Sequence, residues 1–439
     1  MSARAGADTR PSRPVLVVGF VGVTLAAIGA FQPDDSVIYV EEPDVVRKRR
    51  VREQLDGVAF VRGLIEWEYH LAGSADAFFN AHPDLEPAAV VPAIEYATPF
   101  AARLAERYGL PGAGLGAAQI LRDKALLRQV SAAAGIANPA SVAVRSPDDV
   151  RAFMRGRPGP VVLKPANRQA SVGIRVVHDA AEVDRAWADC LVQDEGIFVP
   201  DRPMDLSMLA EEFLDGPEYS VEMLVRDGAP LFSNVTGKRL FPGPHPVELA
   251  HTVPADVPGE LADLLVARTE RLVGVVGFRD GFVHGEWIVS DGVPHLVECA
   301  GRLPGGGIVD TIELAYPVEL LRSYYTVLRG EELPGALPRR AKGGAAVRFL
   351  AAGPGRVTAV HGVEEARRAE GVFLAAVTVG PGHRCTPVRH SWDRAGVVMT
   401  AADSPAQALR LAEAAAGMVR IDIESDIESA IDSDSEGEA

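Results

Sequence analysis

Residues 282–306 read FVHGEWIVSDGVPHLVECAGRLPGG, and no other stretch constrains the fold as closely. Two apolar runs, FVHGEWIV and PHLVEC, flank Ser290-Asp291-Gly292, a turn signal, so the segment reads as a β-hairpin. Each arm sets one carboxylate, Glu286 or Glu298, inside an otherwise apolar strand. A lone acid is costly to bury there, so two facing acids imply a cation between them. Arg302 follows four residues after Glu298, and then come Gly305, Gly306 and Gly307, whose bare backbone lets a charged ligand approach closely. Two acids, an arginine and a glycine loop are the components of a Mg-nucleotide phosphoryl-transfer site. Taken alone, the segment also fits a surface hairpin with ordinary salt bridges, so the rest of the chain has to decide.

A chain of 439 residues is too long for one core, and two or three packed units are expected. The net charge of -16 argues against a nucleic-acid backbone as the main partner. About half of that charge is local: residues 421–439 hold eight acids and no base, which reads as a solvated, disordered tail. Three scattered cysteines (Cys190, Cys299, Cys385) offer neither a disulfide framework nor metal spacing, in keeping with a reducing cytoplasm. The apolar run Val15–Ile28 is too short and too glycine-interrupted for a membrane span. It has no convincing signal-peptide cleavage site, and SVIYVEE follows as a second strand would. The expectation is a soluble cytoplasmic protein with no membrane partner.

Residues 1–13 read as disordered. PVLVVGF, a helical 21–31 and a strand at 36–40 open an α/β domain over 14–116, with a later strand VVPAIEY placing Glu95 near a sheet end. G-x-G-x-x-G is absent after the first strand, so a dinucleotide site is not indicated. A helix over 98–108 stopping at Gly109 and one continuous helix over 117–134 stopping at Gly135 are expected next. Strands and helices then alternate through SVAVR, PVVLKPA, IRVVH, LAEEFL and YSVEMLV to the hairpin, and the segment 331–420 closes the fold with three more strands and a helix from Pro405.

Within this frame Lys124 lies on a helix, and Lys164 ends the apolar strand VVLK, aiming an ammonium at whatever occupies the sheet end. The loop NRQASVG follows, with Ser171 and Gly173 as hydroxyl and backbone donors. In LAEEFLDGPEYSVEML, alternation sends one of Glu211 and Glu212 inward and the other to solvent. The spacing of Glu211, Leu214 and Glu218 suits an adenine edge and a ribose diol, although an acidic linker between strands reads the same way.

As an ordered set, RDKALLRQVSAAAGI, VVLKPANRQASVG, EEFLDGPEYSVEML and HGEWIV…HLVECAGRLPGG resemble the ATP-grasp enzymes over residues 117–330. More narrowly, GKRLFPGPHPVELAHTVPA and ECAGRLPGG resemble the carboxylate–amine ligases that include bacterial L-amino acid (dipeptide) ligases such as the bacilysin synthetase, which serve natural-product biosynthesis. The resemblance implies a mixed α/β and α+β architecture: an N-terminal open α/β domain, an ATP-grasp core over 117–330 with a lid at about 140–210, and a β-rich C-terminal subdomain over 331–420. It implies ATP and Mg²⁺ as cofactors, with Mn²⁺ as a substitute. Lys124 and Lys164 match nucleotide-phosphate lysines, Glu211 and Leu214 adenine contacts, and Glu218 the ribose contact. Ser171 and Gly173 fall in the phosphate loop. Glu286 and Glu298 match the metal-binding acids, and Arg302 the arginine that meets the transferred phosphate. Glu248, His251 and Gly305 fall at the amino-acid site, and Arg302, Lys164 and His251 are the expected catalytic groups. Two departures stand out. Ala300 occupies a position where many ATP-grasp enzymes have Asn, and the phosphate loop is poor in glycine.

The resemblance implies ATP-dependent amide formation from a small-molecule carboxylate and an amine through an acyl phosphate, releasing ADP and phosphate. Acyl transfer to a carrier protein and non-catalytic nucleotide binding stay open beside it, as does assembly into a homodimer.

Overall fold

The structure is a computed structural model that describes residues 13–191 and 199–424. The expected disordered leader (but for Arg13), part of the lid segment and most of the acidic tail lie outside the described residues. Strands β1 (Val15–Val18), β2 (Val37–Glu41), β3 (Val61–Glu66) and β4 (Ala89–Pro92) form a parallel sheet in the order β3-β2-β1-β4. Every residue of β1 is buried, which explains its unbroken apolar run: helices cover both faces of such a sheet. The segment expected as a strand through Tyr96 ends at Pro92, and Glu95–Ala97 form a 3₁₀ turn leading into the helix Thr98–Tyr108. That helix stops at Gly109 in the left-handed conformation, as expected from the sequence.

The continuous helix expected over 117–134 is two helices, Leu115–Arg122 and Lys124–Ala133. Asp123 breaks it. Its backbone is extended, and its carboxylate accepts from the N–H groups of Ala125 and Leu126, capping the second helix. The break makes Lys124 a first-turn residue whose N–H donates to the Ala166 carbonyl at 3.0 Å. A helix continuing through 123 would have spent that N–H internally and turned the side chain elsewhere.

Strands β5 (Ser141–Val144), β6 (Val161–Pro165), β7 (Arg175–Val177) and β8 (Met208–Glu212) form a small antiparallel sheet ordered β5-β8-β6-β7. The helices Pro147–Arg155 and Val183–Leu191 supply its core through Val150, Val183 and Cys190. The main sheet has eight strands. β9 (Glu218–Arg226), β10 (Ala229–Leu240), β11 (Glu248–Val253), β12 (Gly281–Ser290) and β13 (Val293–Ala300) join β14 (Gly344–Leu350), β16 (Val372–Val377) and β18 (Gly396–Ala402) in the order β13-β12-β9-β10-β11-β14-β18-β16. Strands β14, β18 and β16, all after residue 331, therefore continue the central sheet. A last three-stranded sheet joins β15 (Gly355–His361), β17 (Arg384–Cys385) and β19 (Arg420–Glu424). Residues 421–424, read from the sequence as the start of the tail, form most of β19, where Ile421 and Ile423 are half-buried.

The N-terminal sheet and the helices Ile308–Ala315 and Leu320–Leu328 share one core with the main sheet, including Tyr39, Phe282, Tyr324 and Tyr325. Burying each such ring stabilises by roughly 1.5–3 kcal/mol, which ties the first unit to the second. On the other face Trp287 is fully buried, and its indole N–H donates to the Thr269 hydroxyl at 3.0 Å. Among the described residues no helix is long and apolar enough to cross a membrane.

Candidate active site

The hairpin β12–β13 turns through Asp291 and Gly292, both at positive φ, so a two-residue turn fixes its register. That register places Glu286 directly opposite Glu298. Each carboxylate meets a lysine. The Glu298 carboxylate lies 3.0 Å from Lys124 Nζ, and Glu286 lies 2.5 Å from Lys238 Nζ. The two facing, half-buried acids thus each hold a positive charge.

Lys238 was not singled out from the sequence, yet the site is organised around it. Its side chain is 1% exposed, and its ammonium also lies 3.1 Å from Glu218 and 3.7 Å from Glu248. Burial opposes the charge, but the carboxylates of Glu286, Glu218 and Glu248 outweigh it and hold the ammonium protonated far above the usual range. Glu218 feels the opposite balance. Burial raises it to about 7 against the pull of Lys238, with Glu286 and Glu248 adding like-charge repulsion. Beneath them His284 bridges two acids, with Nδ1 3.0 Å from Glu222 and Nε2 3.0 Å from Glu286. Despite burial, those two carboxylates raise His284 to about 9. Glu222 also accepts from the Ser220 and Thr236 hydroxyls and the Asn234 amide, so its buried charge is fully satisfied. A sequence signal existed. Ser220 and Glu222, Asn234, Thr236 and Lys238, and His284 and Glu286 sit two apart on adjacent strands, a polar stripe on one face.

Toward the small sheet, Lys164 and Glu211 are both buried and lie 2.6 Å apart, with Arg128 Nε 2.8 Å from the other Glu211 oxygen. Burial works against the Glu211 charge, but Lys164 and Arg128 outweigh it and keep the carboxyl below its usual range. Glu212 is exposed, as strand alternation requires. Leu214 is half-buried just beyond β8. Lys124 Nζ donates to the Arg168 carbonyl at 2.8 Å, at the start of the loop that carries Ser171 and Gly173. Ser171 donates to the Pro246 carbonyl at 3.1 Å, and both loop residues stand at positive φ. Lys124, Lys164 and Glu211 therefore cluster where the small sheet meets the hairpin.

Arg302 reaches across to the N-terminal domain, where its Nε lies 2.8 Å from the buried Glu95 carboxylate. The angle is too poor for a hydrogen bond, and neither that nitrogen nor that oxygen has another partner. His251 is buried beneath the glycine run, where a Cβ on Gly306 would sit 2.9 Å from its Nε2. Burial, reinforced by Lys238 and Arg394, drives its pKa well below the usual range, so the imidazole is neutral, and its Nδ1 has no partner. Gly306 and Gly307 carry the positive φ angles; Gly305, the residue picked from the sequence, does not, and has open space around it. Glu248 is half-buried between Lys238 and Arg394, whose guanidinium lies 3.7 Å over the Phe349 ring.

Among the described residues no cluster of three or more His, Cys, Asp or Glu forms a metal cage. Glu286 and Glu298 nevertheless suit Mg²⁺, which commonly takes one or two carboxylates and completes its shell with phosphate oxygens and water.

Similarity to known proteins agrees with this geometry. The ATP-grasp domain family matches residues 157–311, and the L-amino acid ligase C-terminal domain 2 family matches residues 348–424. An uncharacterized protein of Sinorhizobium fredii is 26% identical over 309 residues, 70% of this chain and 62% of that protein. The alanine–anticapsin ligase of Bacillus subtilis is 25% identical over 254 residues, 54% of this chain and 53% of the ligase. The chain thus spans less than two thirds of these relatives' own lengths. The L-amino acid ligase of Bacillus licheniformis shares the fold, with a TM-score of 0.77 at 18% identity over 95% of this chain and all of that one. ATP-grasp proteins use ATP with a divalent metal, a chemistry that the paired acids and lysines accommodate.

Proposed function

We propose that the protein is an ATP-dependent carboxylate–amine ligase that joins amino-acid-like substrates through an acyl phosphate. The observation that carries this reading is the register of Glu286 opposite Glu298, with Lys124 on Glu298, Lys238 on Glu286 and Lys164 on the neighbouring Glu211. Acyl phosphate formation brings a carboxylate against a triphosphate, so it needs concentrated positive charge. Lys124 and Lys164 would hold the nucleotide phosphates, and Glu211, Leu214 and Glu218 would meet the adenine and ribose. Glu286 and Glu298 would hold Mg²⁺, which would supply positive charge to the phosphate oxygens when bound. Arg302 stands ready to exchange its poorly aligned Glu95 contact for phosphate and carboxylate oxygens, which a planar guanidinium can bind two at a time. The carboxylate oxygen bonds to the γ-phosphorus as the bond to ADP breaks. The amine then bonds to the acyl carbon, phosphate leaves, and the amine gives up its proton. His251, which is neutral, and Glu248 sit on the far side of Lys238, where an amino-acid substrate would be positioned.

The match to the L-amino acid ligase C-terminal domain favours free amino-acid-like acceptors over a carrier protein. The test is phosphate release from Mg–ATP across pairs of amino acids, with mass spectrometry of the products. Release that requires both an acid and an amine, with one new amide per phosphate, supports the reading. Release that depends on a phosphopantetheinylated protein favours the carrier alternative.

A further inference from the structure

The loop between β6 and β7, which carries Ser171 and Gly173, has few glycines but is held from outside. The Ser391 backbone N–H donates to the Ala170 carbonyl at 3.2 Å. Ser171 donates to Pro246, and Arg175 lies 2.9 Å from His245 Nε2. All three partners lie beyond the small sheet, and Ser391 belongs to the C-terminal unit.

The Ser391 segment also faces the other way. Its hydroxyl lies 3.4 Å from the Glu248 carboxylate. Arg394 donates to the Ser391 carbonyl at 2.8 Å and lies 3.8 Å from the same Glu248 carboxylate. The segment is braced by its own hydrogen bonds and by the main sheet. Asp393 accepts from the N–H groups of Arg389 and His390 at 2.8 and 3.0 Å and from the Thr386 hydroxyl, and Ala395 is tied to Leu350 of the main sheet. Stacking of Arg394 on Phe349 anchors its other end.

We propose that residues 389–394 form a strap by which the C-terminal unit holds the phosphate loop over the nucleotide and fixes Glu248 at the amino-acid pocket, with Ser391 as the positioning residue through its backbone N–H. The proposal rests on reading that loop as the phosphate loop. It accounts for two features together. The loop can dispense with glycines because its path through Ala170 and Ser171, both at positive φ, is imposed by partners outside it. The small C-terminal unit, remote in sequence, touches both halves of the site at once.

Ser391 permits a clean test. It opens a 3₁₀ turn, the position where proline is tolerated, and His390 before it is extended, as a residue preceding proline must be. Ser391→Pro removes the N–H, whereas Ser391→Ala removes only the hydroxyl. The full chain is titrated calorimetrically with Mg²⁺ and the non-hydrolysable analogue AMPPNP, and hydrogen exchange is followed across residues 166–175. Ser391→Pro is expected to weaken AMPPNP by about two- to tenfold, the range for one lost hydrogen bond, and to speed exchange in the loop. Ser391→Ala should stay within about twofold of wild type, since the donor that matters remains. Should Ser391→Pro fail to fold, Arg394→Gln tests the same strap, because it frees the Ser391 carbonyl and should also speed loop exchange. Wild-type affinity and exchange in a folded Ser391→Pro, or unchanged exchange in Arg394→Gln, overturn the strap. Failure of the wild type to bind AMPPNP overturns the nucleotide reading, and the strap with it. Amide formation is not measured here, so the outcome does not depend on the ligase reading.

Discussion

Replacing Lys238 with methionine isolates the electrostatics of the site. Methionine keeps much of the stem volume and removes one charge that is 1% exposed. Three carboxylates then face one another without it: Glu286, formerly 2.5 Å from the ammonium, Glu218 at 3.1 Å and Glu248 at 3.7 Å. His284 still contacts Glu286, so the loss is partial for that acid and complete for Glu218. Removing one member of a buried ion pair typically costs about 3–5 kcal/mol, and Lys238→Met should fall in that range without ligand. The deficit should shrink on adding Mg²⁺, because a divalent ion between the acids restores the missing charge. Urea unfolding in EDTA and in Mg²⁺, read by tryptophan fluorescence, to which buried Trp287 contributes, measures both quantities. A variant as stable as wild type in EDTA, or one that gains no more from Mg²⁺ than wild type does, would show that Lys238 is not the counter-ion of these acids.

Further outcomes follow from the same geometry. Glu298→Ala should abolish turnover while metal-free nucleotide binding is largely kept; near-normal rates at moderate Mg²⁺ would remove Glu298 from the metal site. Arg302→Lys should slow turnover by about a hundredfold or more, the scale of one lost oxyanion donor, with nucleotide affinity far less affected. Near-normal turnover in a folded Arg302→Lys protein would confine Arg302 to its pairing with Glu95. Burial raises Glu218 to about 7, above its unfolded value near 4.5, so its contribution is present at low pH and lost as pH rises through 7. Ligand-free Glu218→Gln should therefore lose less melting temperature than wild type between pH 5 and 7.5, and parallel curves would count against that balance.

The facing of Glu286 and Glu298 was legible because a two-residue turn signal fixes register and register fixes which side chains meet. That one of Glu211 and Glu212 turns inward and the other to solvent was legible for the same reason, strand alternation, although alternation alone did not say which. The helix break at Asp123 was not, since Leu, Ala, Lys and Arg continue helical propensity across it and only the cap geometry reveals the stop. Lys238 escaped notice because a single lysine in a strand reads as surface. Its burial depends on three acids brought in by other strands, and the polar stripe on β9, β10 and β12 would have exposed it. The contact of Arg302 with Glu95 joins two domains and leaves no local trace in the sequence. Strand β19 was hidden by the acidic composition that follows it, although Ile421 and Ile423 alternate with Asp422 and Glu424.

The central claim is that a substrate carboxylate is activated by phosphorylation before an amine captures it. The most direct measurement supplies the acid substrate with ¹⁸O in both carboxylate oxygens, together with Mg–ATP and the amine, and weighs the released phosphate. One ¹⁸O is expected in each phosphate and the other in the amide, because the bond broken in the second step is the acyl carbon–oxygen bond. Unlabelled phosphate released alongside the amide, or ADP and phosphate formed with no amide from any acid–amine pair, would contradict it.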